Sequence, residues 1–262
     1  MLRVLMIGDI VGRPGRKAVQ ELLPSLLHEY RPDLVVANGE NAAGGNGITP
    51  PVAAELFNRG IHVLTMGNHV WDKREAENLL EEEARILRPA NYPDGTPGRG
   101  YTIIRVKEDL QVGIINLSGR IFLSTLECPF RLARLLAEEI RATTRMILVD
   151  FHAEATSEKV AMGWYLDGLV SAVVGTHTHI QTADARILPG GTAYITDVGM
   201  TGPRDSILGV KTEIVIKKFI TQMPVRFEVA TGPVQLEAVL IDINPDTGRA
   251  EAIQRLQLYG TS

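Results

Sequence analysis

The sequence predicts an α/β fold, a four-layer α/β/β/α sandwich in which two mixed sheets stack face to face with helices outside. Three observations predict it. In the first third, short apolar runs alternate with amphipathic stretches, the pattern of strand–helix–strand units with parallel pairing. The middle and the end change to alternating segments punctuated by Gly/Pro turns, which adds a second β-rich layer. A chain of 262 residues, 45% hydrophobic, can bury a sizeable core, and no linker or repeat divides it, so one domain over residues 1–262 is expected.

Leu2–Ile7 is an apolar run closed by Gly8-Asp9, as in a buried strand. Pro14 opens a helix to about Tyr30, with Val19, Leu22, Leu23, Leu26 and Leu27 as its apolar stripe; Pro24 predicts a kink or a split. Asp33–Ala37 is the second strand and runs into a Gly/Asn-rich loop from Asn38 to Gly47. Thr49 caps a helix from Pro50 to near Gly60. Ile61–Met66 is the third strand, and Asp72 is read as the cap of a polar helix after it. Tyr101–Val106 and Gln111–Asn116 form a hairpin, Pro129–Thr143 a helix, and Met146–Asp150 and Leu169–Val174 buried strands. Arg186–Leu188 and Ala193–Thr196 flank the turn Pro189-Gly190-Gly191. After Gly209 the chain reads as strands, with turns at 230–233 and 244–248.

The formal charge of −4 argues against an extended nucleic-acid surface. A single cysteine, Cys128, excludes an intrachain disulfide, fits a reducing compartment and is expected to be a buried small hydrophobe. The N-terminus reads at once as a strand and no apolar run reaches membrane-span length, so a cytoplasmic protein off the membrane is expected.

Four of the six histidines sit in short motifs at predicted strand ends, the first two of which carry carboxylates or amides: Gly67-Asn68-His69, Asp150-Phe151-His152-Ala153-Glu154 and Gly175-Thr176-His177-Thr178-His179. Gly8-Asp9 and Asn38-Gly39-Glu40-Asn41 stand at two further strand ends. Ligands collect beyond the carboxyl ends of strands in α/β sheets. Buried carboxylates there need a cation, and imidazole, carboxylate and amide oxygen together are a hydrolytic metal-ligand set. In extended backbone His177 and His179 would point to one side, so both could reach one cluster. Asp150 and Glu154 could orient the His152 ring. His28 and His62 lie outside any such setting and are read as structural. Arg13 and Arg16 flank the start of the first helix, where cations suit a phosphate.

The ordered series resembles the calcineurin-like metallophosphoesterases across residues 9 to 179. Two departures stand out: Asp9-Ile10-Val11 lacks the histidine of the family's usual Asp-x-His, and Glu40 replaces the usual bridging aspartate. Both resemble the YmdB-like branch, as does Asp197-Val198-Gly199-Met200-Thr201-Gly202-Pro203. The resemblance implies the metallophosphoesterase-like sandwich and two divalent metal ions, iron or manganese. It implies that Glu40 bridges them, that Asp9, Asn41 and His179 complete one site, and that Asn68, His152 and His177 complete the other. It further implies a phosphodiesterase acting on small diesters such as 2′,3′- or 3′,5′-cyclic nucleotides by in-line attack of a hydroxide between the metals. His69 would then be the catalytic acid. Two alternatives stay open: a phosphomonoesterase on nucleotides or phosphoproteins, and a metal-binding regulatory scaffold. The β-rich C-terminal segment could pair subunits into a homo-oligomer.

Overall fold

β1 (Leu2–Ile7), β2 (Asp9–Ile10), α1 (Gly12–Tyr30), β3 (Leu34–Asn38), α2 (Pro50–Asn58), β4 (Val63–Thr65), α3 (Ala76–Glu82) and β5 (Ile86–Leu87) form the first part of the chain. β6 (Tyr101–Lys107), β7 (Leu110–Ser118), α4 (Pro129–Ile140), β8 (Ile147–His152), α5 (Thr156–Tyr165), β9 (Ala172–Thr176), β10 (Arg186–Ile187) and β11 (Ala193–Ile195) form the middle. β12 (Met200–Pro203), α6 (Thr212–Thr221), β13 (Val234–Ile243) and β14 (Ala250–Tyr259) complete it. The computed structural model describes residues 1–107 and 109–260.

The strands make two mixed sheets. One is ordered β2-β12-β13-β1-β3-β4-β5 with β14 paired to β13; the other is ordered β10-β11-β9-β8-β7-β6. Within the first, β1, β3, β4 and β5 run parallel while β13 is antiparallel to β1 and β14. Within the second, β7, β8, β9 and β11 run parallel and the edges β6 and β10 antiparallel. Val4, Met6, Leu34 and Val36 of one sheet meet Ile114, Leu148, Ala172 and Val174 of the other in a shared apolar layer. Leu5, Ile7, Val35 and Ala37 face the other way, onto α1, α2 and α3. Ile115, Val149 and Val173 pack under α4 and α5. Period-two alternation in strands buried on both faces thus builds the four layers α/β/β/α.

Several elements differ from the sequence reading. α1 is one 19-residue helix running through Pro24. Pro24 lies on the exposed face, so the Gln20 carbonyl it leaves without a donor can bond to water. α5 went unassigned in the sequence. α6 occupies a stretch read as strand; its Ile214-Val215-Ile216 run mimics a strand, yet Val215 is its one buried residue. Cys128 is half-buried just ahead of α4. Asp72 does not cap α3, which begins after Glu75. No helix among the described residues is long and apolar enough to cross a membrane.

Candidate metal centre

Glu40 follows β3 by two residues, Asn68 follows β4, His152 ends β8, His177 follows β9, and Asp9 lies in β2. The carboxyl ends of parallel strands from both sheets therefore converge on one place. Glu40 sits in the middle and is 1% exposed. Its Oε1 lies 3.1 Å from His152 Nε2 and 3.2 Å from the Asn41 amide nitrogen. On one side, His152 Nε2 is also 3.0 Å from His177 Nδ1 and 3.1 Å from Asn68 Oδ1. On the other, the Asn41 amide is 3.3 Å from His179 Nε2, which stands 3.6 Å from Asp9 Oδ1. The Asn41 amide is two-fold in shape, so turning it over puts its oxygen at the same point.

This donor set fits divalent cations. A single N–H on His152 Nε2 cannot serve Glu40, Asn68 and His177 at once. Glu40, His152 and His177 each present a ligand atom, all within 4.8 Å of one another. Asp9 Oδ1 is buried without a hydrogen-bond partner, its distance to His179 being that of an ion pair. A buried carboxylate oxygen in that position is costly unless a cation takes it.

The surrounding groups aim the ligands. His152 Nδ1 donates to Thr176 Oγ1 at 2.9 Å, and the Thr176 hydroxyl donates to Asp150 Oδ1 at 2.7 Å. That relay leaves the His152 Nε2 lone pair facing Glu40. Burial pushes Asp150 up to about 6 despite its hydrogen bonds from Thr65 and Thr176. Glu154 does not reach His152; it holds His177 Nε2 at 3.0 Å, so His177 offers Nδ1 to the cluster. Asn38 Oδ1 fixes the Glu40 backbone N–H at 3.1 Å. Gly67 has no room for a side chain, since a Cβ there would run into the His152 ring and the Glu40 carboxylate.

His177 and His179 do not converge by extended geometry. β9 stops at Thr176, and both histidines lie in the left-handed region with φ of 98° and 64°. Non-glycine residues there need outside support. It comes from Asp197, whose Oδ2 accepts the Thr178 N–H at 3.0 Å, the Thr178 hydroxyl at 2.7 Å and Lys159 Nζ at 2.7 Å. Lys159 and Asp197 are at most 1% exposed, so the charges neutralise each other behind the loop. The sequence carried no signal for Lys159.

His69 lies beside the cluster, its backbone N–H donated to Glu40 Oε2 at 3.0 Å and its side chain 40% exposed. Its Nδ1 is 2.9 Å from Asp72 Oδ2, which also accepts the Asn46 amide at 2.8 Å. Asp72, taken in the sequence for a helix cap, is a site residue that the sequence reading did not find. His62 is structural, its Nδ1 accepting the Val35 N–H at 2.9 Å. Arg16 is held by Glu55 and the Ala42 carbonyl, while Arg13 lines a neighbouring cavity and not the cluster.

Without cations, protons balance the buried carboxylates. Burial opposes charge on His179, but the pair with Asp9 raises it to about 9. Burial likewise opposes charge on His152, and Glu40 raises it. Burial and the neighbouring His152 lower His177 to about 4. Burial alone would raise Asp9 and Glu40, yet these imidazoles hold both low. Loading metal at pH 7 should therefore expel about one proton from His179 and a further share from His152. The release should shrink, and the affinity should strengthen, as pH rises towards 9. Calorimetry in two buffers of different ionisation enthalpy measures this; no release at pH 7 would contradict it.

A family model described as YmdB-like protein matches residues 5–256. A Bacillus subtilis (strain 168) protein named 2′,3′-cyclic-nucleotide 2′-phosphodiesterase is 52% identical over 97% of this chain and 96% of its own length. A crystal structure of a hypothetical protein from Thermus thermophilus superimposes with a TM-score of 0.93 at 43% identity, covering 99% of this chain and 100% of that one. A crystal structure described as a novel phosphatase from Mycoplasma pneumoniae also gives a TM-score of 0.93, at 31% identity, covering 99% of this chain and 94% of that one.

Proposed function

This chain belongs to the YmdB-like family, and on that premise we propose that it is a dimetal phosphodiesterase opening small diesters, 2′,3′- or 3′,5′-cyclic nucleotides. The observation that supports this reading most is the place of Glu40. It lies between two groups of donors, and His69 is tied through its backbone to the same carboxylate. Asp9, Asn41 and His179 would share one cation with Glu40; Asn68, His152 and His177 would share the other. The first group is the richer in oxygen, which favours manganese or ferrous iron over zinc.

When bound, the two cations supply Lewis-acid charge to the phosphate oxygens and lower the pKa of water. The chain's own residues do the rest. Asp9 and Glu40 provide the negative charge that fixes the cations, and the His152–Thr176–Asp150 relay keeps one imidazole lone pair aimed inward. His69 transfers a proton from Nε2 to the departing alkoxide. Asp72 accepts the His69 Nδ1 proton and sets the ring's direction, and Asn46 steadies Asp72. No side-chain nucleophile and no covalent intermediate are required.

The test is a diester-against-monoester comparison on one manganese-loaded preparation. The kcat/KM for 2′,3′-cyclic AMP should exceed that for 3′-AMP. Preference for the monoester would overturn the proposal.

A further inference from the structure

Arg13, Lys17, Gly44, Arg226, Phe227 and Val229 line a cavity of about 830 Å³ beside the metal cluster. That volume lies within the range of small-molecule sites. A chain of net charge −4 gathers three cations around it, of which Lys17 is paired with Glu21 at 3.6 Å. Among the described residues, neither Arg13 nor Arg226 has a carboxylate oxygen within 4.0 Å, whereas Arg16, three residues from Arg13, is paired with Glu55. The one carboxylate on the wall, Glu228, is engaged with Lys211 at 2.6 Å. Phe227, half exposed, adds an aromatic ring; one face carries Lys218 Nζ at 4.7 Å, which leaves the other for a base. Guanidinium groups without a carboxylate, beside an aromatic ring, are what a phosphate-linked base needs.

The cavity starts one residue layer from the site. A Cβ on Gly45 would come within 2.7 Å of Val229, and the Gly12 and Gly45 N–H groups bond to the Asn41 carbonyl at 2.9 and 3.2 Å. The same glycine loop connects it to His69. Gly44 lines the cavity, and Asn46, two residues on, bonds to Asp72 beside His69. Gly44 and Asn46 are at most ~7 Å apart along the loop, and two hydrogen bonds carry on from Asn46 to the His69 ring, so a cyclic nucleotide with one further nucleotide attached can span the two places. The direction follows from the chemistry. When a 2′,3′-cyclic phosphate opens, the leaving oxygen stays on the ribose, so the proton donor marks the ribose side. From His69 through Asp72 and Asn46 that side leads to the cavity.

Building on the phosphodiesterase reading, we infer that this cavity is a subsite for the preceding nucleotide, and that the substrates include short oligonucleotides ending in a 2′,3′-cyclic phosphate. The subsite takes one nucleotide and its phosphate.

The experiment compares adenosine 2′,3′-cyclic phosphate with the dinucleotide ApA ending in a 2′,3′-cyclic phosphate on manganese-loaded protein. The wild type should favour the dinucleotide by about tenfold in kcat/KM, mostly through KM, and added salt should reduce that gain. The double variant Arg13→Gln/Arg226→Gln should lose the gain and keep mononucleotide turnover within about twofold. Equal kcat/KM for both substrates in the wild type, or a gain that survives the double substitution, would overturn the inference. Absence of all diester turnover would instead count against the phosphodiesterase reading. The subsite is then tested by fluorescence anisotropy with a labelled ApApA. Binding weakened about tenfold in the double variant upholds it, and equal or absent binding overturns it.

Discussion

Replacing His69 with alanine should lower kcat on a cyclic nucleotide by about 10²–10⁴-fold while both cations stay bound, because removing a positioned acid forfeits that much. The geometry separates the two effects. The His69 contribution to the cluster is its backbone N–H on Glu40, which alanine retains, while its ring is held through Nδ1 by Asp72. The Asp72→Asn variant should lose less, about tenfold, since it frees the ring's direction without removing the proton carrier. The His69 side chain is 40% exposed, so added imidazole should restore part of the activity of His69→Ala. Metal content by elemental analysis and steady-state kinetics on one preparation check this. Unchanged turnover would remove His69 from the reaction.

Replacing Glu40 with glutamine should abolish turnover and reduce bound metal from two ions per chain to one or none. Substituting groups that merely support metal ligands already costs about 10–100-fold in affinity, and Glu40 contacts both halves of the donor set. The side chain is 1% exposed and glutamine is isosteric, so far-UV circular dichroism should stay native. Glu154→Gln is the control. That carboxylate is 48% exposed and holds only His177 Nε2, so metal binding should weaken but two ions should still load at high metal concentration. Full metal content in Glu40→Gln would show that each half binds without it.

The donors were legible because each stands in a short glycine-flanked motif at the end of an apolar run, and the parallel topology brings such ends together. Asp9, Glu40, Asn41, Asn68, His152, His177 and His179 do fall within one cluster. How they arrive was not legible. Extended geometry was expected for His177 and His179, but each adopts a left-handed conformation held by Asp197 and Lys159, a contact 19 to 38 residues distant in sequence. Asp72 carries the local signature of a helix cap, and only the fold of the loop places it on His69. Glu154 and Asp150 both flank His152 in sequence, yet β8 ends at His152, so Glu154, two residues past the strand, reaches His177, while Asp150 acts through Thr176. In the fold, α6 was misread because its Ile and Val residues follow strand chemistry, and α1 because the burial of Val19, Leu23 and Leu26 against the sheet outweighs what Pro24 costs the helix.

Counting metal in anaerobically purified wild-type protein addresses the central claim most directly, since a carboxylate between two donor groups should retain a pair of ions. Elemental analysis should return two equivalents of iron or manganese per chain, with turnover of a cyclic nucleotide rising in proportion to occupancy. A single equivalent at full activity, or undiminished activity after complete chelation, would contradict it.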